Sequence, residues 1–540
     1  MAKDYSQFSK EELLKIVEKL ESRKKYGLIW DEEKVKEQFE KDAENALPVL
    51  KEISSKEITD KDPSKPVNIL IEGDNYHALS VLNFTHQGKI DVIYIDPPYN
   101  TGNRDFKYND NYIDREDSYR HSKWISFMTK RLKLAKNLLK ETGMIFISID
   151  DNESAQLKLI CDEVFGEDNF RNSIVVSRVK KNIQEREYAR SLNLGHGLVL
   201  FYAMAKAEII IPTKFQQKEE RWHAFDAPGI RKTMEYKIFG HKPPQGRHWM
   251  LGEKKAIELI DKGLLRPSPT GKPQYKLEAS DITRLDTNWS DLQEGDSKWK
   301  FENGEKNIAL MKRLIGMYPS KDCLVLDFFA GSGTTGHAVL EFNKEDTGTR
   351  TFILCTNNEL NGFEKELEGK ELSEKEIQEY GICRRVTYPR IEKVIKGYKN
   401  SKDKKIDGLG GSLKYFKTKF VKKNTNGDDF KTRITHECTE MLCLREGVFD
   451  EVKKSDQYRI FQQGDKTLAV YYSLDRKSLP ALKKELEKMD GEKILYCFTL
   501  DQGGLNEKEF KNWKDVKLEP IPQKILEVYN ENFRSIQSNL

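Results

Sequence analysis

The chain has 540 residues, of which 37% are hydrophobic, 33% charged and 10% aromatic, and this length predicts about three to four folded units of roughly 150 residues each. The aromatic content excludes a largely disordered chain, and the longest apolar run, near 198–205, is far shorter than the roughly 20 residues of a membrane-spanning helix. The net charge of +4, from 92 Lys and Arg residues against 88 Asp and Glu residues, is too small to indicate a nucleic-acid partner by itself.

The amino terminus, MAKDYSQFSK, carries charges from its third residue and has no apolar run of the kind found in secretory signals. The seven Cys residues are scattered without a Cys-x-x-Cys pair, which is typical of reduced thiols. Cys438, Cys443 and His436 come nearest to a metal cluster, but their spacing fits no usual zinc pattern. We therefore expect a cytoplasmic protein that binds no metal and does not associate with membranes.

The amino-terminal part begins with a predicted helical region, residues 1–62, in which apolar residues recur at helical spacing over 13–20. Residues 63–205 then alternate between short β-rich runs and helical stretches. In the longest helical stretch, Ser122 is expected to cap a helix that Gly143 ends. This alternation predicts an α/β fold with a doubly wound sheet.

The pattern changes in residues 206–296, which are rich in Pro, Gly, Trp and basic residues and lack a long periodicity. This stretch is interpreted as an insertion with its own function. A strand, a Gly-rich turn and a helix follow in residues 297–400, where the sheet pattern resumes. Residues 412–540 contain both strand-like and helical stretches, and they predict a mixed α+β carboxyl-terminal domain.

The motif Asp96-Pro97-Pro98-Tyr99 follows the apolar strand DVIYI, at the sheet edge where α/β folds bind ligands. Two consecutive prolines stiffen the loop and leave carbonyl oxygens free to accept hydrogen bonds. A carboxylate and a carbonyl match the two hydrogens of an exocyclic amine, and a tyrosine ring matches the face of the base that carries it. The motif therefore predicts an aminopurine pocket, although a rigid turn that only closes a strand would have the same four residues.

A second loop, DFFAGSGTTG from Asp327 to Gly336, follows an apolar strand and opens a helix. Its glycines allow the backbone to approach a ligand at a helix amino terminus. The spacing also satisfies the dinucleotide fingerprint G-x-G-x-x-G, but the acidic residue expected about 20 positions later is missing. No Walker lysine follows either, so the loop does not indicate phosphate transfer.

Together, DPPYNTG and DFFAGSGTTGHA resemble the motifs of S-adenosylmethionine-dependent DNA methyltransferases that act on the N6 amine of adenine. The chain is similar to the group in which the catalytic motif precedes the cofactor motif, a circularly permuted order with the target-recognition region between them. Residues 67–400 more closely resemble the modification subunits of type III restriction-modification systems. The resemblance implies a double-stranded DNA substrate with a flipped adenine, a homodimer, and a restriction partner with nuclease and helicase functions.

This resemblance assigns expected roles to individual residues. Asp96 and the Pro97 carbonyl are expected to accept from the target amine, with Pro98 in the same loop and Tyr99 stacking on the base. The expected cofactor-binding residues are Asp74, Asp327, Phe329, Ala330, Gly331, Ser332, Gly333, Thr334 and Glu359. Asp74 has a second interpretation as a helix N-cap, and Asn357 and Asn358 are rivals of Glu359. Where the family often has Lys-Pro before the cofactor strand, this chain has Lys306-Asn307.

Basic residues near aromatic ones predict where DNA is contacted, because they combine phosphate binding with base stacking. The candidates are Lys180, Lys181, Arg231, Lys232, Lys242 and Arg247, with Trp222 and Trp249 among the neighbouring aromatic residues. In so charged a chain, such runs are also compatible with ordinary solvated surface.

Two other functions remain compatible with the motifs. A cytosine-N4 methyltransferase would share the fold, but that group usually has Ser where this chain has Asp96. A DNA-recognition subunit without catalysis would be a different class of protein, and both motifs being intact disfavours it. The sequence thus predicts five regions: a helical amino terminus (1–62), a catalytic half (63–205), a target-recognition region (206–296), a cofactor-binding half (297–400) and a carboxyl-terminal domain (412–540).

Overall fold

The computed structural model describes residues 9, 10, 30 and 46–537, apart from 63–64, 103–104, 109–110, 179–193, 297–304, 361–362, 368, 371, 400–403, 424–426, 502–503, 507, 512 and 514. The helix predicted over 13–20 lies outside the described residues. The chain divides into two compact units, one formed by Met1–Ile210 with Thr287–Leu540 and the other by Ile211–Asp286.

The first unit is built on one ten-stranded sheet. Its strands in chain order are β1 (Ala46–Glu52), β2 (Val67–Glu72), β3 (Ile90–Ile95), β4 (Leu139–Ile149), β5 (Phe170–Ser177), β6 (His196–Ala203), β7 (Asn288–Gln293), β8 (Leu324–Asp327), β9 (Thr351–Thr356) and β10 (Ser412–Lys422). Their order across the sheet is β1-β10-β2-β9-β8-β3-β4-β6-β5-β7. The six strands from β10 to β4 are parallel, whereas β1 and β6 run antiparallel to their neighbours.

The helices of eight or more residues in the described part of this unit number ten. They are α1 (Asn75–Thr85), α2 (Arg120–Leu138), α3 (Ser154–Phe165), α4 (Ile308–Ile315), α5 (Thr334–Asp346), α6 (Tyr388–Lys396), α7 (Gly427–Glu437), α8 (Thr439–Glu446), α9 (Leu479–Leu486) and α10 (Gln523–Gln537). Every residue of β3 is buried, as expected for a central parallel strand with helices on both faces. The predicted α/β fold is thus confirmed, with a sheet that is mixed rather than wholly parallel.

Further strands complete the unit. A separate sheet near the carboxyl terminus has the order β11 (Asp450–Lys454), β12 (Tyr458–Gln463), β13 (Lys466–Tyr471), β14 (Glu492–Phe498) and β15 (Lys517–Ile521). Short paired strands lie at Lys107–Tyr108 with Asn111–Tyr112, Gly295–Asp296 with Glu305–Lys306, and Gly397–Lys399 with Lys405–Asp407. Two short helices span Glu364–Leu367 and Glu374–Gln378.

The structure differs from the sequence-based expectations in two elements, a strand in the predicted helical region and the bounds of α2. Residues 46–52 form edge strand β1 within the predicted helical region, because Pro48 is tolerated at a sheet edge and the apolar run is buried against β10. The helix predicted from Ser122 to Gly143 spans Arg120–Leu138 instead. Leu139 already pairs with Ile90, so the chain enters β4 before Gly143.

Two main-sheet strands also cross the predicted domain limits. β7 occupies the end of the predicted target-recognition region and pairs in parallel with β5. β10 begins at the start of the predicted carboxyl-terminal domain, and its residues 412–417 pair with the whole of β2. The main sheet therefore contains one strand from the predicted target-recognition region and one from the predicted carboxyl-terminal domain.

The second unit, Ile211–Asp286, lies within the predicted region 206–296. Its helix spans Glu253–Asp261, and its strands are Thr213–Lys218, Arg221–Ala224, Asp226–Pro228, Arg247–Trp249, Leu265–Pro267, Pro273–Leu277 and Ser280–Arg284. A small core of its own includes Phe225, Trp249 and Leu265. In the described part of the whole chain, no helix is both long and apolar enough to cross a membrane.

Candidate active site

The two motifs singled out in the sequence end neighbouring strands of the main sheet. Asp96 directly follows β3, and Asp327 is the last residue of β8. These strands are parallel, with Val325 beside Val92 and Leu326 beside Ile93. Parallel strands end at the same sheet edge, so the two loops open on one region at their carboxyl ends.

The Asp-Pro-Pro-Tyr loop is held by hydrogen bonds at both ends. The Tyr99 hydroxyl donates to Asp96 Oδ1 at 2.8 Å, and Trp124 Nε1 in α2 donates to the Pro98 carbonyl at 2.7 Å. Asn100 adopts a left-handed conformation with φ of 56°, and its Nδ2 donates to the fully buried Glu153 at 2.5 Å. The loop that presents Asp96 is therefore anchored to α2 and to the residue before α3.

Two charged residues beside Asp96 were missed by the sequence reasoning as members of this site. Lys306 Nζ lies 3.1 Å from Asp96 Oδ1 and donates to the Tyr99 hydroxyl at 2.7 Å. Glu294 accepts from the same ammonium at 2.5 Å and from the Tyr99 hydroxyl at 3.1 Å. Lys306 could have been suspected from its place in the Lys-Pro pattern, whereas no local signal marks Glu294.

The pKa of Asp96 is raised because burial disfavours its charged form, although the Lys306 ammonium opposes this effect. The pKa of Tyr99 is raised well above its ordinary value by burial and by the charges of Asp96 and Glu294. Tyr99 therefore stays a neutral hydroxyl, and its single hydrogen is shared between the Asp96 and Glu294 carboxylates. The Asp96 side chain remains 28% exposed, so a ligand can reach it.

The Gly-rich loop turns sharply before α5. Gly331 and Gly333 both have left-handed backbones, with φ of 47° and 77°, which glycine adopts without a steric penalty. Thr387 donates to the Gly331 carbonyl at 2.6 Å, and a Cβ at Gly333 would lie 3.2 Å from Thr387. The buried Arg390 donates to the Thr334 hydroxyl at 2.9 Å. The loop backbone is thus fixed from one side by α6 and the turn before it.

Asp327 is buried and held by two donors. The Phe329 N–H donates to Oδ1 at 3.0 Å and the Thr335 hydroxyl donates to Oδ2 at 2.6 Å. Burial raises its pKa to about 7, despite these hydrogen bonds. Within the same loop, Ala330 and Ser332 are buried, while Phe329 is partly buried and lies 6.0 Å from the Phe127 ring.

Asp74 follows β2 and serves as the N-cap of α1, because its Oδ1 accepts from the Tyr76 N–H at 2.8 Å. The N-cap interpretation of this residue is therefore confirmed. Burial raises the pKa of Asp74, but the charge of Arg131 and the Tyr76 N–H outweigh that effect and lower it. Arg131 Nε also donates to Asn75 Oδ1 at 2.6 Å, and Asn75 Nδ2 donates to the Phe328 carbonyl at 3.0 Å.

Glu359 and its two rivals follow β9, next to β2 in the sheet. The Glu359 carboxylate is 43% exposed and lies 3.3 Å from Lys107 Nζ. Asn357 Nδ2 donates to Glu359 at 2.5 Å, so these two side chains are linked. Asn358 instead donates to the Gln378 carbonyl and accepts from the Arg384 N–H. The Asn358 amide therefore already hydrogen-bonds two backbone groups, and the Glu359 carboxylate is the more accessible acceptor for a ligand.

The predicted DNA contacts fall into three groups. Lys180 and Lys181 lie outside the described residues. Arg231, Lys232 and Lys242 are exposed in the second unit, whereas Arg247 pairs with Asp226 and donates to its carbonyl at 3.1 Å.

The aromatic neighbours of these basic residues differ in exposure. Trp222 is partly buried, and the Arg266 guanidinium lies 3.8 Å from its ring centroid. Trp249 is 2% exposed, and its Nε1 donates to the Tyr236 carbonyl. The expectation that Trp249 stacks on bases is therefore wrong, because its ring belongs to the core of the unit.

The cysteines offer no assembled ligand set. Cys438 and Cys443 are buried thiols, and the His436 ring stacks on Tyr472. Within the described ranges, no group of three or more His, Cys, Asp or Glu side chains is arranged to hold a metal ion.

The family model N6_N4_Mtase, described as DNA methylase, matches residues 90–375, which is more than half of the chain and includes both loops. The chain belongs to this DNA methylase family. It is 32% identical over 340 residues to the type II methyltransferase M.KpnI of Klebsiella pneumoniae, covering 53% of this chain and 79% of that protein. The sequence-based prediction of the family is thereby confirmed.

The methylase is also 36% identical over 341 residues to the StyLTI Mod subunit, a type III restriction-modification enzyme of Salmonella typhimurium. That alignment covers 54% of this chain and 52% of the Mod subunit, so the match spans about half the length of that relative. Among solved structures, the cytosine-N4-specific PvuII DNA methyltransferase aligns with a TM-score of 0.34 and 13% identity, over 61% of this chain and 93% of that one.

Proposed function

We propose that this methylase is a site-specific DNA methyltransferase that transfers a methyl group from S-adenosyl-L-methionine to the N6 amine of a flipped adenine in double-stranded DNA. One observation carries the proposal. Asp96 and the Gly-rich loop lie at the carboxyl ends of adjacent parallel strands, and Asp96 Oδ1 is already hydrogen-bonded by Tyr99. Its second oxygen can therefore face a target amine beside the cofactor loop.

The residues of the second loop fit S-adenosylmethionine. A Cβ at Gly331 would meet only the Phe329 carbonyl within 4 Å, so this part of the backbone has open space beside it for a ligand, whereas Gly333 faces Thr387. The carboxylates of Asp74, Asp327 and Glu359, at the ends of three neighbouring strands, suit a ligand with an adenine amine, ribose hydroxyls and a cationic sulfur. When bound, this cofactor supplies a methyl group that is already activated by its positive sulfur. Phe329, Ala330, Ser332 and Thr334 complete the proposed binding loop.

The amine of adenine is a poor nucleophile because its lone pair is delocalised into the ring. We propose that Asp96 and the Pro97 carbonyl each accept one N–H of this amine, which turns the nitrogen toward a tetrahedral geometry and frees its lone pair. The same two acceptors would stabilise the positive charge that develops on nitrogen as its bond to the methyl carbon forms and the carbon–sulfur bond of the cofactor breaks, and the methylated amine would then lose its extra proton to solvent. Tyr99 holds the flipped base by stacking on its face.

The proposed arrangement is the circularly permuted one, with the catalytic strands before the cofactor strands and the recognition region between them. The second unit, 211–286, is then the main part of the target-recognition region, with Arg231, Lys232, Lys242 and Arg247 as candidate DNA contacts. Similarity to the StyLTI Mod subunit supports a role as modification subunit of a restriction-modification system. We accordingly propose a homodimer, a restriction subunit as partner and a cytoplasmic location.

Expression in a host that lacks DNA methylation, followed by single-molecule sequencing of its genome, tests the proposal. We expect N6-methyladenine within one short sequence motif. Asp96→Ala should abolish the modification, because one acceptor of the amine is lost, while calorimetry should show retained cofactor binding. Asp322→Ala is a matched control, because this exposed carboxylate lies just before the first residue of β8, at the end of the strand away from the proposed site.

Two results would overturn the assignment. Nucleoside analysis that finds N4-methylcytosine instead of N6-methyladenine would reassign the substrate. A wild-type protein that binds NAD but not S-adenosylmethionine would reassign the cofactor loop to a dinucleotide.

A further inference from the structure

Three charged side chains, those of Asp96, Glu294 and Lys306, contact the Tyr99 hydroxyl in the first unit, and a fourth, Arg178, contacts Glu294. Lys306 Nζ contacts Asp96, Tyr99 and Glu294, at 3.1, 2.7 and 2.5 Å. Arg178 Nε donates to the other Glu294 oxygen at 3.0 Å. Two carboxylates and two cations thus form a continuous network whose charges balance.

The backbone holds Glu294 and Lys306 in register. The Glu294 N–H donates to the Ser177 carbonyl at 2.7 Å, and the Asn307 N–H donates to the Glu294 carbonyl at 2.9 Å. A Cβ on Gly197 would lie 2.5 Å from Glu294 Oε2, so the absence of a side chain in β6 makes room for this carboxylate. The position of Glu294 is therefore fixed by backbone hydrogen bonds and by its packing against Gly197.

The two oxygens of Asp96 are used differently. Both Tyr99 and Lys306 contact Oδ1, and no described residue donates to Oδ2. The lysine therefore fixes the carboxylate without occupying the oxygen that we propose for the target amine.

Burial works against this carboxylate, because a buried acid favours its neutral form, and a neutral Asp96 could not stabilise a cationic amine. Several groups act on it from the elements packed around it. The Lys306 ammonium lowers the pKa of Asp96, and Glu294 raises it. The other titratable groups that interact electrostatically with Asp96 are Tyr94, Tyr99 and Asp327.

We propose that Lys306 is a positioning residue for Asp96, which keeps this acceptor charged and directs its Oδ2 to the target amine, while Glu294 and Arg178 hold Lys306 in place. The proposal rests on the proposed methyl transfer. It differs from a direct role of Lys306 in cofactor binding, because it places the effect of the lysine on the amine acceptor.

Single-turnover methyl transfer to DNA, measured from about pH 5 to about pH 9 at saturating cofactor, tests the proposal. For each variant, the rate at the acidic end of this range is divided by the plateau rate that the same variant reaches at higher pH. In Lys306→Met this ratio should fall about tenfold below that of the wild type, because Asp96 loses its cation and keeps the repulsion of Glu294. Lys306→Arg should restore most of the ratio.

Glu294→Gln should shift the ratio in the opposite direction. The amide still accepts from Lys306 but removes the negative charge beside Asp96, so Asp96 stays ionised at lower pH. Opposite shifts from two adjacent residues are not produced by a general loss of structure. Thermal unfolding of each variant shows whether it folds. If Lys306→Met does not fold, the acidic-to-plateau rate ratios of Lys306→Arg and Glu294→Gln are compared with that of the wild type instead.

The outcomes separate this inference from the proposed function. If the wild type transfers no methyl group to DNA, the proposed function fails. If the wild type is active and Lys306→Met raises the KM for cofactor with an unchanged acidic limb, Lys306 belongs to the cofactor site and the inference is overturned. Shifts of the same sign in Lys306→Met and Glu294→Gln would also overturn it.

Discussion

The Thr335 hydroxyl at the start of α5 donates a 2.6 Å hydrogen bond to Oδ2 of the buried Asp327. This contact ties the end of β8 to the helix that follows the Gly-rich loop. It does not offset burial, which raises the pKa of Asp327 to about 7. The residue that ends β8 therefore changes charge near neutral pH.

We expect Asp327 to make the protein less stable as the pH rises. Its pKa is higher in the folded chain than the ordinary value of 3.8, so its contribution is fully present below about pH 4 and is lost as the pH rises to about 7. Between about pH 5.5 and about pH 8 the loss is roughly 2 kcal/mol of unfolding free energy.

Urea unfolding of the wild type and of Asp327→Asn at several pH values measures this contribution. The asparagine variant cannot ionise, so its stability should depend less on pH by that amount. Identical pH dependence of the two proteins would show that Asp327 stays ionised in the folded state.

Asp74→Ser tests whether Asp74, which caps α1, also binds the cofactor. Serine is a good N-cap, so α1 and the stability of the protein should change by less than about 1 kcal/mol. Serine lacks a carboxylate, however, and we expect the affinity for S-adenosylmethionine to fall about tenfold, by analogy with a lost hydrogen bond to a charged group. Calorimetry measures the affinity, and unchanged binding would leave Asp74 as a cap alone.

Arg131 links the loop after β2 to the Gly-rich loop through Asn75, and its side chain is 1% exposed. Arg131→Met should lower the free energy of unfolding by roughly 1 to 3 kcal/mol, because the partly exposed Asp74 and Asn75 lose a charged donor. It should also weaken cofactor binding. Lys136→Met, on the exposed side of the same helix, is the control. Unfolding and calorimetry that show no difference between the two variants would contradict this role.

The exposed basic residues of the second unit are expected to act through phosphates. Arg231→Ala, Lys232→Ala and Lys242→Ala should each weaken binding to all DNA sequences alike and reduce the salt dependence of binding by about one phosphate contact. Arg247→Ala should instead destabilise the unit, because its guanidinium pairs with Asp226. Fluorescence titrations at several salt concentrations measure the slopes. Slopes that match the wild type in all three variants would place DNA binding elsewhere.

The sequence by itself determined the local elements that carry the chemistry. Apolar runs bounded by Gly or Pro predicted β3 and β8, and the Gly-rich turn predicted the start of α5 because only certain residues adopt these local conformations. The motifs after β3 and at the end of β8 also predicted the family. Such features depend on neighbours along the chain, which a sequence displays directly.

Only the tertiary structure decided which distant residues meet. No sequence motif marks Glu294, which contacts Lys306, the lysine beside Asp96. Residues 295–296 pair with residues 305–306 and bring Glu294 close to Lys306, and Gly197 has no side chain that would fill the position of the Glu294 carboxylate. Trp249 looked suited to base stacking, yet the fold buries it. Pairing across a sheet and packing in a core depend on residues far apart in the chain, so composition and spacing could not specify them.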